Sequence, residues 1–260
     1  MGVLNVTPDS FSDGGRYLVT EDAVAHGRRL VAEGADVVDV GGESTRPGAV
    51  PVPEGEERRR VVPVIEALRD HVRISIDTRH AAVAEAAIEA GATLVNDVSA
   101  SLHDVAAAAG VGWVAMHMRG DPTTMQRDPR YASVADEVRE FLVERAEVAR
   151  AAGVDEVWVD PGIGFGKTTD HNLALLARLD ELVATGFPVL VGTSRKRFLG
   201  DLLARADGVV GPVPVDDRLE GSLASAVWCY RNGAAMVRAH EVSATVAAAR
   251  RVAMAPRDAR

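Results

Sequence analysis

The sequence has little that would cross-link the chain, carry it across a membrane or bind it to nucleic acid. Its only cysteine is Cys229, which excludes an internal disulfide and suits a reducing compartment. No apolar run approaches the roughly 20 residues that a membrane helix needs, and the first residues lack the basic and apolar regions of a signal peptide. The net charge of −9 argues against a broad nucleic-acid surface. We therefore expect a cytoplasmic protein with neither a membrane nor a nucleic-acid partner.

Aromatic residues and lysines are also scarce. Aromatics make up 4% of the chain and apolar residues 47%, so the core must consist of Ala, Val, Leu and Ile. There are 27 arginines but only two lysines, Lys167 and Lys196, both in turns flanked by Gly or Ser. Lysine is a compact point charge and arginine a planar fork, so the two positions could mark places where the fork would not fit. Chance in an arginine-favouring sequence is the alternative.

Short β-branched runs alternate with helical segments along the whole chain. Continuous apolar runs separated by helices are typical of a parallel sheet covered on both faces. The predicted strands are Gly2–Val6, Asp36–Val40, Val72–Ile76, Thr93–Val95, Gly112–Met116, Glu156–Val159, Pro188–Val191 and Ala234–Val237. Helical spacing is clearest in 22–33, 54–69, 81–90 and 134–152. Eight such units predict a single (β/α)₈ barrel domain over residues 1–260, with a doubly wound sheet as the alternative.

Polar residues follow every predicted strand. In a barrel these strand ends meet at one face, where active sites are built. One polar strand end is more often a helix cap or a turn, but eight in succession predict a functional site. The residues at these strand ends, which also include Met116 and Gly192, are Asn5, Asp39, Asp77, Asn96, Asp97, Met116, His117, Asp160, Gly192, Ser194, Lys196, Arg238 and His240.

Four of these residues suit a flat, nitrogen-rich heterocycle. Asp77 and Asp160 offer carboxylates that accept ring N–H groups, Asn96 both donates and accepts, and Lys196 adds a cation.

A second group predicts an anion site. Arg238 and His240, with Thr45 and Arg46, are typical of phosphate binding. Asn5 is a neutral oxygen ligand of the kind that Mg²⁺ uses together with substrate phosphates. Together the two groups indicate a heterocycle that carries a diphosphate.

Two familiar nucleotide motifs are absent. The segment DPGIGFGKTT has Pro161 where a P-loop needs its first glycine, and its glycines do not have dinucleotide-binding spacing. The seven histidines are scattered, so no zinc spacing occurs.

Read together, the strand-end segments resemble dihydropteroate synthase over essentially the whole chain. The segments that carry the resemblance are NVTPDSFSDGG (5–15), DVGGESTRPGA (39–49), SIDT (75–78), VNDV (95–98), MHM (116–118), DPGIGFGKT (160–168), VGTSRKRFLG (191–200) and RLEGSLA (218–224). The resemblance implies a (β/α)₈ barrel of folate biosynthesis, a transferase that joins 6-hydroxymethyl-7,8-dihydropterin diphosphate to p-aminobenzoate. It also implies a homodimer and inhibition by sulfonamides. Strand 1 begins at residue 2, so either that end of the barrel is open or the true start lies upstream.

The resemblance also implies roles for individual residues. The pterin would contact Asp77, Asn96, Val98, Met116, Asp160, Phe165, Gly192 and Lys196. The diphosphate would contact Thr45, Arg46, Arg238 and His240, and Asn5 would bind Mg²⁺. The p-aminobenzoate would contact Phe11, Pro47, Phe165, Ser194 and Lys196, with Asp13 the main charged residue of the loops at 7–16 and 43–52. Catalysis would rest on Asp77, Lys196, Arg238 and His240.

The charges of these groups suit a dissociative substitution. Ring acceptors would stabilise positive charge on the pterin, and Mg²⁺, Arg238 and His240 the departing diphosphate. Glu241 is a departure, since the family usually has Asp there. Two alternatives are a non-catalytic pterin-binding paralogue and a pterin-dependent methyltransferase on the same barrel. The second has no use for a diphosphate site.

Overall fold

The structure is a computed structural model, and it describes residues 1–7, 16–44 and 51–254. Within these ranges, short strands alternate with helices along the chain. The strands are β1 Gly2–Asn5, β2 Val37–Gly41, β3 Arg73–Asp77, β4 Leu94–Asp97, β5 Gly112–Met116, β6 Val157–Asp160, β7 Leu190–Val191 and β8 Met236–Val237. The helices are α1 Arg16–Ala32, α2 Glu54–Leu68, α3 Ala81–Ala90, α4 His103–Ala109, α5 Val134–Ala151, α6 Thr169–Ala177, α7 Leu179–Val183, α8 Arg197–Asp207, α9 Leu219–Arg231 and α10 Val242–Met254.

The strands close into a parallel barrel. Strands β1 to β6 pair in chain order, and β7 pairs with β8. Parallel bridges join Val159 to Val189 and Gly2 to Ala239, which connect the two sheets on both sides. The predicted (β/α)₈ barrel is confirmed, and the doubly wound alternative is wrong because an open sheet has no such closing bridge.

Alternation along the strands separates two apolar cores. One set of positions packs against the helices, in a large cluster that includes Leu4, Val38, Ile74 and Val95. The alternate positions point into the barrel, where an apolar layer fills the end at which the strands begin. This inner layer consists of Met1, Val37, Leu94, Val114, Leu190, Trp158 and Met236.

Helix ends follow local chemistry. Glu54, Glu56 and Glu57 occupy the first turn of α2, where carboxylates complement the partial positive charge of the helix N-terminus. Gly110 ends α4 in the left-handed conformation that glycine adopts at little cost.

The predicted strands match those observed to within one or two residues at most ends. Strand β7 is shorter than the predicted Pro188–Val191, because Pro188 has no N–H to pair and contributes only its carbonyl, which accepts from Val159 at 3.1 Å. Among the described residues, no helix is long and apolar enough to cross a membrane.

Candidate active site at the mouth of the barrel

Above the apolar layer, the inward-facing strand residues become polar. Asn5, Gly41, Asp77 and Asn96 are direct neighbours in register on β1 to β4. Asn5, Asp77 and Asn96 line one cavity of about 650 Å³ at the carboxyl ends of the strands. Every described residue to which the resemblance assigns a role also lines it: Asn5, Asp77, Asn96, Val98, Met116, Asp160, Phe165, Gly192, Ser194, Lys196, Arg238 and His240.

A buried ion-pair network forms one side of the cavity floor. Arg238 donates from Nε to Oδ2 of Asp39 at 2.6 Å and from Nη2 to Oδ2 of Asp77 at 2.8 Å. Asn96 donates from Nδ2 to the same Oδ2 of Asp39 at 2.9 Å. Asp39 is fully buried, one layer below Asp77, so it joins a guanidinium and an amide from two distant strands.

The floor offers hydrogen-bond acceptors. Oδ1 of Asp77 and Oδ1 of Asn96 are buried and have no hydrogen-bond partner among the described residues. Because the Asn96 amide nitrogen donates to Asp39, the amide oxygen is the atom that can accept from a ligand. Asp160 adds a third acceptor; its Oδ1 already accepts from the backbone N–H of Gly162 at 2.7 Å. A ligand rich in N–H groups satisfies such a floor, since unpaired buried acceptors are costly.

Burial shifts the pKa values of three ionisable groups at the cavity floor. It raises the pKa of Asp77 to about 7; Arg238 opposes the rise and the negative charge of Asp39 adds to it. It also raises the pKa of Asp160, against the effect of Lys196. The pKa of Lys196 falls to about 8, again through burial. Asp77 and Lys196 therefore change charge close to neutral pH.

Lys196 joins two loops over the cavity. Its Nζ donates to the carbonyl of Ile163 at 2.5 Å. The same ammonium lies 4.8 Å from the centre of the Phe165 ring, a cation–π contact. The loop after β7 thus holds the loop after β6.

Lys167 is buried behind that loop. Its Nζ lies 2.9 Å from Nδ1 of His117 and donates to the carbonyls of His117 at 3.2 Å and Phe165 at 3.0 Å. Burial lowers the pKa of Lys167 to about 7 and that of His117 to about 3. His117 is therefore neutral, and Lys167 ties the loops after β5 and β6 together.

Ser194 and His240 meet at the rim. The Ser194 hydroxyl lies 2.9 Å from Nδ1 of His240 and 3.2 Å from Oε2 of Glu241. The other Glu241 oxygen accepts from Nε of Arg195. Glu241 thus links the loops after β7 and β8.

Comparisons with known proteins decide the family. A model of pterin-binding enzymes matches residues 1–240. The dihydropteroate synthase of Mycobacterium leprae is 51% identical over 255 residues, 95% of this chain and 89% of the relative. The dihydropteroate synthase of Xanthomonas albilineans, solved with 4-aminobenzoic acid, superposes with a TM-score of 0.89 at 46% identity and covers 98% of this chain and 93% of that one. The same protein solved with 7,8-dihydropteroate has a TM-score of 0.85 at 43% identity, with 98% and 93% covered.

The chain belongs to the dihydropteroate synthase family. The family, the barrel and the enzyme class predicted from the sequence, a transferase with dihydropteroate synthase activity, are confirmed.

Some predicted residues lie outside the described part of the chain. These are Phe11, Asp13, Thr45, Arg46 and Pro47. The loops predicted to close over the diphosphate, 7–16 and 43–52, fall largely in the same gaps.

Two polar residues at or just after strand ends, Asp97 and Thr78, are structural. Both oxygens of Asp97 accept from the loop that leads into α4, and Oδ2 also accepts from Nε1 of Trp113 at 3.2 Å. Thr78 donates to Glu57 of α2 at 2.8 Å. At these two positions the polar side chain stabilises a turn or the start of a helix, which is the usual role of a single polar residue at a strand end.

The synthase site also contains a residue that sequence reasoning named but did not use, Asp39. It stands in the run Val37–Gly41, whose other members are apolar or glycine. A charge at an inward-facing position of a buried strand is a signal that alternation could have detected.

Proposed function

We propose that the chain joins 6-hydroxymethyl-7,8-dihydropterin diphosphate to p-aminobenzoate by a dissociative, Mg²⁺-assisted substitution that releases 7,8-dihydropteroate and diphosphate. The observation that carries the proposal is the acceptor-rich floor of Asp77, Asn96 and Asp160 beside the cations Lys196 and Arg238. A pterin presents ring N–H and amino groups, which match these acceptors.

The pterin lies on the floor in this proposal. The free oxygens of Asp77 and Asn96 and the carboxylate of Asp160 accept from the ring, and Lys196 donates to it. Met116 and Val98, both buried, supply apolar contacts for the ring faces. The same carboxylates stabilise the positive charge that develops on the pterin as the methylene C–O bond breaks.

The diphosphate leaves toward Arg238 and His240, which follow β8. Its oxygen takes the electron pair of the broken bond, and Arg238 and His240 stabilise the resulting negative charge. The carboxylates of Asp39 and Asp77 raise the pKa of Arg238 although burial opposes this, so the guanidinium is charged at every working pH. Thr45 and Arg46 are assigned to the same anion site.

The side-chain oxygen of Asn5 is suited to bind a magnesium ion that is also bound by the diphosphate. A Cβ on Gly41 would lie 3.7 Å from both Oδ1 of Asn5 and Oδ2 of Asp77. Because glycine has no Cβ, it leaves space between two oxygens that can bind a metal ion. Mg²⁺ prefers such oxygens and keeps phosphates and water as further ligands. Among the described residues, one trio with metal-ligand geometry exists, Glu43, Glu57 and His80. It suits Mg²⁺ less well because one member is an imidazole bound to Glu57 at 2.7 Å. Bound Mg²⁺ would supply charge neutralisation at the leaving group.

The p-aminobenzoate lies above the pterin, against Phe165 and the stem of Lys196, with its carboxylate at Ser194. Its amine nitrogen attacks the pterin methylene carbon and then loses a proton. The hydrogen bond between Ser194 and His240 places the Ser194 hydroxyl at the rim. Phe11 and Pro47 are assigned to the same pocket, and Asp13 to the loop that covers it.

We also propose a cytoplasmic homodimer that associates through helices late in the chain. Large apolar side chains are exposed in this region, among them Leu219 and Trp228 on α9. Sedimentation of the purified protein tests the dimer, and fractionation of cells tests the location. A monomer at micromolar concentration contradicts the first.

Turnover with both substrates tests the reaction. We expect 7,8-dihydropteroate and diphosphate in equal amounts, and loss of turnover when Mg²⁺ is chelated. His240→Ala should weaken binding of the pterin diphosphate while leaving binding of the pterin alcohol, which lacks the diphosphate, nearly unchanged. A protein that binds the pterin diphosphate but forms no product is a pterin-binding paralogue, and the proposed reaction is then wrong.

A further inference from the structure

The segment RLEGSLA (218–224) forms the start of α9, and the proposed reaction gives it no role. It lies against the loop Thr193–Lys196, which follows β7. Ser194 and Lys196 of this loop line the cavity.

Arg195, between these two residues, has strained backbone. Its φ is +60°, in the left-handed region that residues other than glycine adopt only at a cost. Such strain persists where the surrounding structure imposes it, and it tends to occur at functional sites.

Two residues of the segment hold the peptide groups on both sides of Arg195. The backbone N–H of Arg195 donates to the Ser222 hydroxyl at 3.1 Å. The carbonyl of Arg195 accepts from Nη1 of Arg218 at 2.9 Å. The Ser222 hydroxyl in turn donates to the carbonyl of Arg218 at 2.7 Å, so the contacts form one connected network.

Arg218 is itself fixed in place. It is 7% exposed, and its Nε and Nη2 donate to the carbonyl of Val213 at 3.0 and 2.6 Å. A Cβ on Gly200 of α8 would lie 2.7 Å from Nε of Arg218, so the guanidinium occupies space that only glycine leaves free. The guanidinium therefore binds two carbonyls through three nitrogens at fixed spacing, a geometry that the single nitrogen of a lysine does not reproduce.

We propose that Arg218 and Ser222 are positioning residues that impose the left-handed conformation on Arg195 and thereby direct Ser194 and Lys196 into the cavity. The inference rests on the proposed roles of Ser194 and Lys196 in substrate binding. It gives the RLEGSLA segment a role in the geometry of the p-aminobenzoate site. Arg218 lines the cavity, but its three guanidinium nitrogens bind backbone carbonyls, and the proposal assigns neither residue a contact with substrate.

A double-mutant comparison separates positioning from general stability. Arg195→Gly and Arg195→Ala both remove the side chain, but only glycine adopts φ near +60° without strain. With Ser222 intact the loop is held, and the two variants should have the same KM for p-aminobenzoate. In the Ser222→Ala background the alanine variant should lose the conformation, and its KM should be about tenfold higher than that of the glycine variant. The kcat values should differ less than the KM values.

Each outcome has one meaning. Equal KM values for Arg195→Gly and Arg195→Ala in the Ser222→Ala background overturn the positioning role. If instead Ser194→Ala and Lys196→Ala leave KM unchanged in a protein that turns over, the proposed roles of those two residues are wrong. Arg218→Lys should also raise KM for p-aminobenzoate. Because this buried variant could fail to fold, the Ser222 comparison carries the test, with circular dichroism confirming that each protein is folded.

Discussion

Nε of Arg238 lies 2.6 Å from Oδ2 of Asp39, a carboxylate 199 residues earlier in the chain that is fully buried beneath the site. The same oxygen accepts from Asn96. One carboxyl group therefore fixes both the direction of a guanidinium and the orientation of an amide.

Asp39→Asn should reduce kcat/KM for the pterin diphosphate by about 100-fold or more, because breaking a buried ion pair costs about 3–5 kcal/mol and part of that cost falls on the site. An asparagine can also donate to Oδ1 of Asn96, which removes one acceptor from the floor. Steady-state kinetics with varied pterin diphosphate measures the loss. Asp36→Asn is the matched control, since Asp36 is exposed just before the same strand, and it should behave as wild type.

The two lysines should respond differently to substitution. Lys196→Ala should abolish most pterin binding, because the ammonium contacts the cavity directly. Lys196→Arg should restore little, since a planar fork does not fit between the Ile163 carbonyl and the Phe165 ring. Isothermal titration with the pterin diphosphate measures both. Tight binding by Lys196→Ala would remove this lysine from the site.

Turnover should follow a bell-shaped pH profile with its maximum between about 7 and 8. Asp77, whose pKa burial raises to about 7, must lose its proton to accept from the ring, so kcat/KM rises through that pH. Lys196, whose pKa burial lowers to about 8, loses its charge above it, so kcat/KM falls. The pH dependence of kcat/KM reports these groups in the free protein.

Asp39→Asn supplies the internal check on this profile. It removes a negative charge that helps raise the pKa of Asp77, so the acid limb should move to lower pH. An acid limb that stays in place in this variant assigns it to the phosphate of the substrate instead.

Gly162→Ala should lower the free energy of unfolding far more than Gly110→Ala, although the two glycines have nearly the same φ. A Cβ at Gly162 would lie 1.9 Å from the carbonyl oxygen of His117, and φ is +64°. Gly110 has φ +66° with nothing within 4 Å of its Cβ, so Gly110→Ala isolates the backbone cost of about 1–2 kcal/mol. Urea unfolding should show at least about 2 kcal/mol of further destabilisation for Gly162→Ala. Equal losses would mean that the loop yields to the added methyl group.

Much of the architecture could be predicted from the sequence because its signals are local. Apolar runs and helical spacing predicted the barrel, and the polar strand ends predicted residues that line one cavity. The partners of those residues could not be predicted. Arg238 was assigned to an anion from its charge alone, whereas it lies between Asp39 and Asp77, 199 and 161 residues away in the chain. A single sequence carries no signal for pairings over such distances.

Buried lysines illustrate the same limit. The scarcity of lysine singled out Lys167 and Lys196 equally. Both line the cavity, but the ammonium of Lys167 is bound to His117 and to two backbone carbonyls, whereas that of Lys196 lies against the Phe165 ring. Residue type and local turn are the same at both positions, so they could not predict these different contacts.

Among the described residues, the apolar layer of Leu94, Val114, Trp158, Leu190 and Met236 closes the barrel beneath the site. A cavity closed on this side constrains the order in which two stacked ligands bind as well as their chemistry. In the proposed arrangement, the pterin diphosphate must enter before p-aminobenzoate can bind above it. The diphosphate and the coupled product then leave at the carboxyl ends of the strands, where the substrates entered.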